Sequence, residues 1–145
     1  MNGAIFSNAY DDIQLTYRVG PAPLLFNAGE ATINGAELEL YYAPTDALIV
    51  DASIGYLDAE MDTVRTVPDL GAQTPTATTQ AGDRLPRAPE TEFHIGASYV
   101  FDIGSRLELT PRLDVSYRDS IFFDAGNDIG EDSVTLLTGS LTLAD

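Results

Sequence analysis

The side chains that could do chemistry in this chain are mostly carboxylates, and many recur at every second position. Glu37 and Glu39 match a glycosidase acid/base pair in residue type. Spacing of two is also what any polar strand face produces, so the pair reads as a surface rather than a catalytic centre. His94, the single histidine, follows Glu92 at the same spacing. It could contact a ligand or serve as a pH-sensitive group, and a hydrated or hydrogen-bonded histidine is the plainer reading. Asp124, Asn127, Asp128, Glu131 and Asp132 offer hard oxygen ligands for Ca²⁺ but lack the ordered spacing of an EF-hand, so they read as a solvated loop. Asp58, Glu60 and Asp62 pose the same question at a strand end, where their alternation aims them to one side. Arg84 and Arg87 flank Leu85-Pro86 and could meet an anionic ligand or a lipid phosphate, with pairing to neighbouring carboxylates as the plainer alternative.

Composition narrows the chemistry further. Cysteine is absent, which excludes disulfides, zinc–thiolate sites and thiol catalysis, and one histidine cannot build a multi-histidine metal centre. Neither a G-x-S-x-G turn nor a phosphate-binding loop occurs. The residues therefore argue against an enzyme, and they call for no cofactor or metal. The 145 residues carry a formal charge of −16, from Asp+Glu 23 against Lys+Arg 7. That balance argues against a nucleic-acid-binding surface, which needs clustered Lys and Arg. No apolar run approaches the roughly 18–20 residues of a membrane helix. With 44% hydrophobic residues, the bulk numbers fit a soluble acidic domain and a membrane β-barrel alike.

The elements that must position these groups are strands. In residues 106–118, Leu107, Leu109, Pro111, Leu113, Val115 and Tyr117 alternate with Arg106, Glu108, Thr110, Arg112, Asp114, Ser116 and Arg118. Pro111 cannot donate a ladder hydrogen bond, so a bulge or broken ladder is expected there. The same period predicts six strands, at 4–18, 31–42, 48–60, 91–101, 106–118 and 132–143, with the faces of the last one ambiguous. In the first, Phe6, Asn8 and Tyr10 have the opposite parity to Ile13, Leu15 and Tyr17, which predicts a bulge near Asp11. The strands exceed the usual length of about 5–6 residues and suit the roughly 9–11 that cross an outer membrane. Connections alternate between long (19–30, 61–90, 119–131) and short (43–47, 102–105), the pattern of external loops and periplasmic turns.

These features predict an all-β, antiparallel up-and-down transmembrane barrel segment. Tyr10, Tyr17, Tyr41, Tyr42, Tyr56, Tyr99, Phe101, Tyr117, Phe122 and Phe123 are candidates for its interfacial aromatic girdles. One face then meets lipid. Glu37, Glu39, Asp51, Glu92, His94, Glu108, Arg112, Asp114 and Arg118 share the other and are the lumen-facing candidates. Six such strands do not close a barrel, and neither terminus reads as the end of a domain, so the chain is expected to be a fragment. A soluble secreted acidic β-sandwich binding sugar or Ca²⁺, and a passive porin-type barrel, are the other readings of the same pattern.

The ordered segments 6–14 (FSNAYDDIQ), 27–40 (NAGEATINGAELEL), 52–60 (ASIGYLDAE), 85–96 (LPRAPETEFHIG) and 113–123 (LDVSYRDSIFF) resemble the C-terminal barrel region of TonB-dependent outer-membrane receptors. In that family an N-A-G-x-A-x-x-x-G-x-E segment opens a strand that descends to a short turn, and L-P-x-A-P-E closes a long external loop. The resemblance implies a barrel of about 22 strands, of which these would be six. It implies active uptake of a ferric siderophore or similarly scarce ligand. Its expected partners are the lipid bilayer, lipopolysaccharide, the remaining strands, a plug and the TonB system. No plug and no TonB-contacting box are found in these residues. The implied location is the bacterial outer membrane.

Overall fold

The computed structural model describes residues 1–19, 22–65 and 79–145; the side chains of 17–19, 22, 24 and 26 lie outside the description. The chain forms β1 (Asn2–Val19), β2 (Ala22–Tyr42), β3 (Leu48–Val64), β4 (Thr91–Tyr99), β5 (Phe101–Ile103), β6 (Leu107–Arg118), β7 (Ile121–Phe122), β8 (Gly130–Glu131) and β9 (Val134–Ala144). They run as an antiparallel meander, β1-β2-β3-β4-β6, with β5 continuing the line of β4 and β9 on the far side of β6. β7 and β8 pair separately. The six expected strands are thus present, and β4 with β5 makes up the fourth.

Pro111 breaks the ladder on one side only. β4 pairs with β6 up to Ser98↔Arg112 and pairing resumes at Phe101↔Leu109, leaving a gap opposite Thr110 and Pro111. On its other side β4 stays paired, since Val100 N–H bonds to Ala47 O at 2.9 Å in line with Leu48↔Tyr99. On the other side the β9 ladder runs past Pro111↔Leu141 without interruption. The expected bulge in β1 also occurs. Its register shifts between Tyr10 and Ile13, where Asp12 takes φ 57°.

The first connection differs from expectation. Residues 19–30 read as a long loop because Gly20, Pro21, Pro23 and Gly29 are strong breakers, yet β1 runs to Val19 and β2 starts at Ala22. Pro23 is tolerated in this extended hairpin opposite Arg18, and Gly29 takes φ 147° at a second register shift. Much of the third connection, 66–78, lies outside the described residues. Among the described residues, 83–90 lie along β3 beyond the end of β4. They bond through Leu57 N to Glu90 O (2.8 Å), Leu85 N to Ala59 O (2.9 Å) and Met61 N to Asp83 O (2.9 Å).

Register fixes the faces. Leu38, Ile54, Phe93, Tyr117 and Thr135 align across the sheet on one face, as do Ala52, Ile95, Val115 and Leu137. This face is open. Leu137, Leu141 and Leu143 are 70%, 68% and 63% exposed, and no second sheet covers them among the described residues. The ambiguity in β9 resolves with Thr135, Leu137, Gly139, Leu141 and Leu143 on this apolar side.

The buried core lies at one end of the sheet. Ala28, Ala31, Ala59, Met61, Leu85 and Ala125 are buried together, with Ile13, Leu15, Ile33 and Leu57 packed against them. Leu57, Ala59 and Met61 have the parity of the charged face, so that face turns apolar where the long loops fold over it. The opposite face changes too. Past Tyr56 it carries Asp58, Glu60 and Asn34, and Thr32 donates to Asp62 Oδ2 at 2.6 Å.

Candidate functional site

All the charged positions expected on one face do share it. Glu37, Gly55, Glu92 and Arg118 form one cross-strand row. Glu39, Ser53, His94 and Ser116 form the next, followed by Tyr41, Asp51, Gly96 and Asp114. Ser98 with Arg112 and Asp102 with Glu108 complete the face toward the short turns.

Only some of these residues touch. Arg112 reaches across from β6 to β3, placing Nη1 2.8 Å from Asp51 Oδ1 and Nη2 3.0 Å from Asp51 Oδ2. Its Nε lies 3.0 Å from both carboxylate oxygens of Asp114. A planar guanidinium thus holds two carboxylates by paired hydrogen bonds, a geometry lysine could not supply. His94 Nε2 completes the group, 3.1 Å from Asp51 Oδ2 and 3.5 Å from Asp114 Oδ1. All four side chains keep contact with solvent, so the cluster contributes modestly to stability and mainly fixes side-chain positions.

Gly96 makes this cluster fit. A β-carbon there would overlap Arg112 Nη2 and lie 2.6 Å from Asp114 Oδ1 and 2.9 Å from Asp51 Oδ2. The glycine therefore leaves a floor on which the guanidinium rests. Gly35 does the same for the Phe6 ring, which lies over it on this face. Sequence reading missed both glycines, since the only signal for them is a glycine at polar-face parity between charged neighbours, and that appears only once register is known.

The remaining candidates separate. Glu37, Glu39, Glu92 and Glu108 make no ion pair among the described residues, while Arg118 pairs with Glu131 at 2.9 Å. The acidic loop does not gather into a cation site. Asp124 accepts backbone N–H groups of Asp128 (3.3 Å) and Ile129 (2.7 Å). Asn127 holds Arg84 by two bonds, accepting from its N and donating to its O, each 2.9 Å. Arg84 extends over the Phe122 ring and donates to Ala88 O and Ser120 O, which makes it an internal clasp, and it forms no ion pair among the described residues. Arg87 takes φ 61° and binds Phe122 O through its backbone N–H. Asp58 and Glu60 sit on the outer continuation of the apolar face.

The aromatic candidates also sort by face. Tyr42, Tyr99 and Phe101 lie on the apolar face near the short turns, with the last two rings 4.6 Å apart. Tyr56 and Tyr117 lie near its other end, with Tyr117 stacked on Phe93 at 5.3 Å. Tyr10 and Tyr41 belong to the charged face, Phe122 and Phe123 to the loop region, and the Tyr17 side chain falls outside the described residues.

No curated protein matches this sequence. Two solved structures share its fold. The ferric yersiniabactin uptake receptor FyuA from Yersinia pestis superposes with a TM-score of 0.71 at 24% identity, over 96% of this chain and 19% of that one. The siderophore receptor PiuA from Acinetobacter baumannii gives 0.68 at 22% identity, over 94% of this chain and 18% of that one. The chain thus spans about a fifth of the length of each receptor. A family model described as TonB dependent receptor-like, beta-barrel, matches residues 1–145. The chain belongs to the TonB-dependent receptor β-barrel family.

Proposed function

We propose that residues 1–145 form part of the wall of an outer-membrane transport receptor that takes up a ferric siderophore or a similarly scarce ligand with energy from the TonB system. The observation that carries this reading is the apolar face bounded by two aromatic rows. Leu107 to Tyr117 on β6 spans about 33 Å along the strand, or about 25 Å upright at a usual barrel tilt, which is the height of an outer-membrane apolar band. The ligand class follows from the likeness to receptors named for siderophore uptake.

In this reading the charged face, with Glu37, Glu39, Asp51, Glu92, His94, Glu108, Arg112, Asp114 and Arg118, lines the lumen. Charge there stays hydrated, whereas on the lipid face a basic residue would cost up to about 2–4 kcal/mol. The loop-covered core lies outside the cell. Further strands close the barrel, and a plug and the TonB system act on it from other parts of the receptor. The chain is a structural wall, and no catalytic step is assigned to it.

Two measurements test this. Fluorophores on single cysteines at Ile95, Val115 and Leu137 should be quenched by lipid-soluble quenchers, and fluorophores on cysteines at Glu92 and Ser116 by water-soluble ones. The reverse pattern would overturn the orientation. A strain lacking the receptor should lose growth on scarce iron in the presence of its siderophore and regain it with the intact gene. Unchanged growth on every siderophore tried would remove the transport assignment.

A further inference from the structure

The Asp51–His94–Asp114 cluster has the donor set and spacing of a metal site. We propose that it binds one divalent transition-metal ion, of the zinc, nickel or copper class, in exchange for the Arg112 guanidinium. The three residues come from adjacent strands β3, β4 and β6, and one donor atom of each lies within 4.8 Å of the others. Bonds of about 2.0–2.2 Å at tetrahedral or octahedral angles place neighbouring donors roughly 3.0–3.5 Å apart. His94 Nε2 stands 3.1 Å from Asp51 Oδ2 and 3.5 Å from Asp114 Oδ1, so the ring already has the spacing of a ligand to each, and the two carboxylates, within 4.8 Å of each other, close on the ion as the guanidinium leaves.

The donor chemistry selects the metal class. One imidazole nitrogen with two carboxylates suits zinc, nickel or copper, whereas calcium and magnesium favour oxygen alone. Gly96 leaves above the sheet the space that the Arg112 guanidinium fills, and the ion and its waters would take that space in exchange. Arg112 already places a cation there, which shows that the position favours positive charge. Yet one guanidinium leaves the two carboxylates with a net charge of 1 − 2 = −1, and a divalent ion neutralises them. The guanidinium is about one-third exposed and can swing into water as the ion enters.

The test uses the whole receptor in detergent micelles, stripped with a chelator and titrated with Cu²⁺ by electron paramagnetic resonance and with Zn²⁺ by calorimetry. One ion should bind per chain, with coupling to an imidazole nitrogen that disappears in His94→Ala. Asp51→Asn should weaken binding by about 10–100-fold. Arg112→Gln removes the competing charge and should tighten binding about tenfold or more. Heat-dependent gel mobility reports whether each variant retains the barrel; His94→Gln replaces His94→Ala, Asp51→Ala replaces Asp51→Asn and Arg112→Met replaces Arg112→Gln where the first choice does not. Absence of stoichiometric binding, an imidazole signal that survives His94 replacement, or unchanged or weaker binding in Arg112→Gln would each overturn the proposal.

Discussion

Replacing two glycines of the same sheet by alanine should move stability in opposite directions. Gly29 lies in β2 at φ 147°, where a β-carbon would overlap the carbonyl oxygen of Thr63 and lie 2.8 Å from its carbon and 3.1 Å from Val64 Cα. These are backbone atoms of β3, so no rotamer change relieves the clash. β3 must move away from Ala28 and Ala31, the fully buried neighbours of Gly29 on β2, and its own buried Ala59 and Met61 move with it. Backbone strain of about 1–3 kcal/mol and overpacking of about 1–3 kcal/mol together predict a loss of about 2–6 kcal/mol for Gly29→Ala. Gly55 lies in β3 on the charged face, and a β-carbon there meets no atom within 4 Å. Gly55→Ala only restricts the unfolded chain and should gain about 0.5–1 kcal/mol. The assay is the urea midpoint of the receptor reconstituted in lipid vesicles, followed by intrinsic fluorescence, with loop proteolysis as a second readout. Gly29→Ala should lower the midpoint and open the loops to cleavage, and Gly55→Ala should do neither. Equal midpoints for the two variants would show that the close approach of β2 to β3 at Gly29 does not control the rim.

Two further outcomes test the faces and the loops. Leu113→Arg puts a cation on the apolar face and should cost about 2–4 kcal/mol and most of the folded yield, while Ser53→Arg, beside Glu39 on the charged face, should fold normally; comparable yields in membrane fractions would contradict the assignment of faces. Asn127→Ala removes both bonds to Arg84 and should weaken the joint between the two long loops by about 1–3 kcal/mol, seen as faster protease nicking in residues 119–131 with the barrel's own unfolding unchanged; an unaltered nicking rate would mean that the bonds do not hold the loops.

Strand number, polarity of faces and the β1 bulge were legible in the sequence because a period of two survives wherever one face meets apolar surroundings and the other water. Pro111 was legible for the same reason, since a missing N–H has one consequence in any ladder. The first hairpin was not. Gly20, Pro21, Pro23 and Gly29 carry strong local turn signals, and pairing with β1 outweighs them over most of 22–30. The Arg112 cluster was half legible. Its members were assigned to one face, but their contact depends on inter-strand register, which brings Asp51, Gly96 and Asp114 into one row from positions far apart in sequence. Asn127 read as part of a solvated acidic loop, with Ca²⁺ ligation as the weaker alternative, because its neighbours are acidic. Its partner is a backbone 43 residues away, which no local pattern encodes.

The exchange of polarity between the two faces ties these observations together. From Val50 to Tyr56, β3 points apolar side chains to the open face and polar or small ones to the charged face. From Leu57 to Met61 the same strand points Leu57, Ala59 and Met61 to the charged-face side and Asp58 and Glu60 to the other. A register slip would exchange sides in this way, but β2 and β3 stay in continuous register from Ala31↔Met61 through Tyr42↔Val50. The surroundings must change instead. In the proposed orientation the outer face meets an apolar solvent below Tyr56, and water above it. The inner face does the opposite, because the loops from 79–90 and 119–131 bury it. A soluble sheet has no reason to reverse its faces partway along unbroken strands. A sheet crossing the boundary of a bilayer does, and in the proposed orientation the Phe93–Tyr117 pair, with Tyr56 in the adjoining row, marks the level at which it happens.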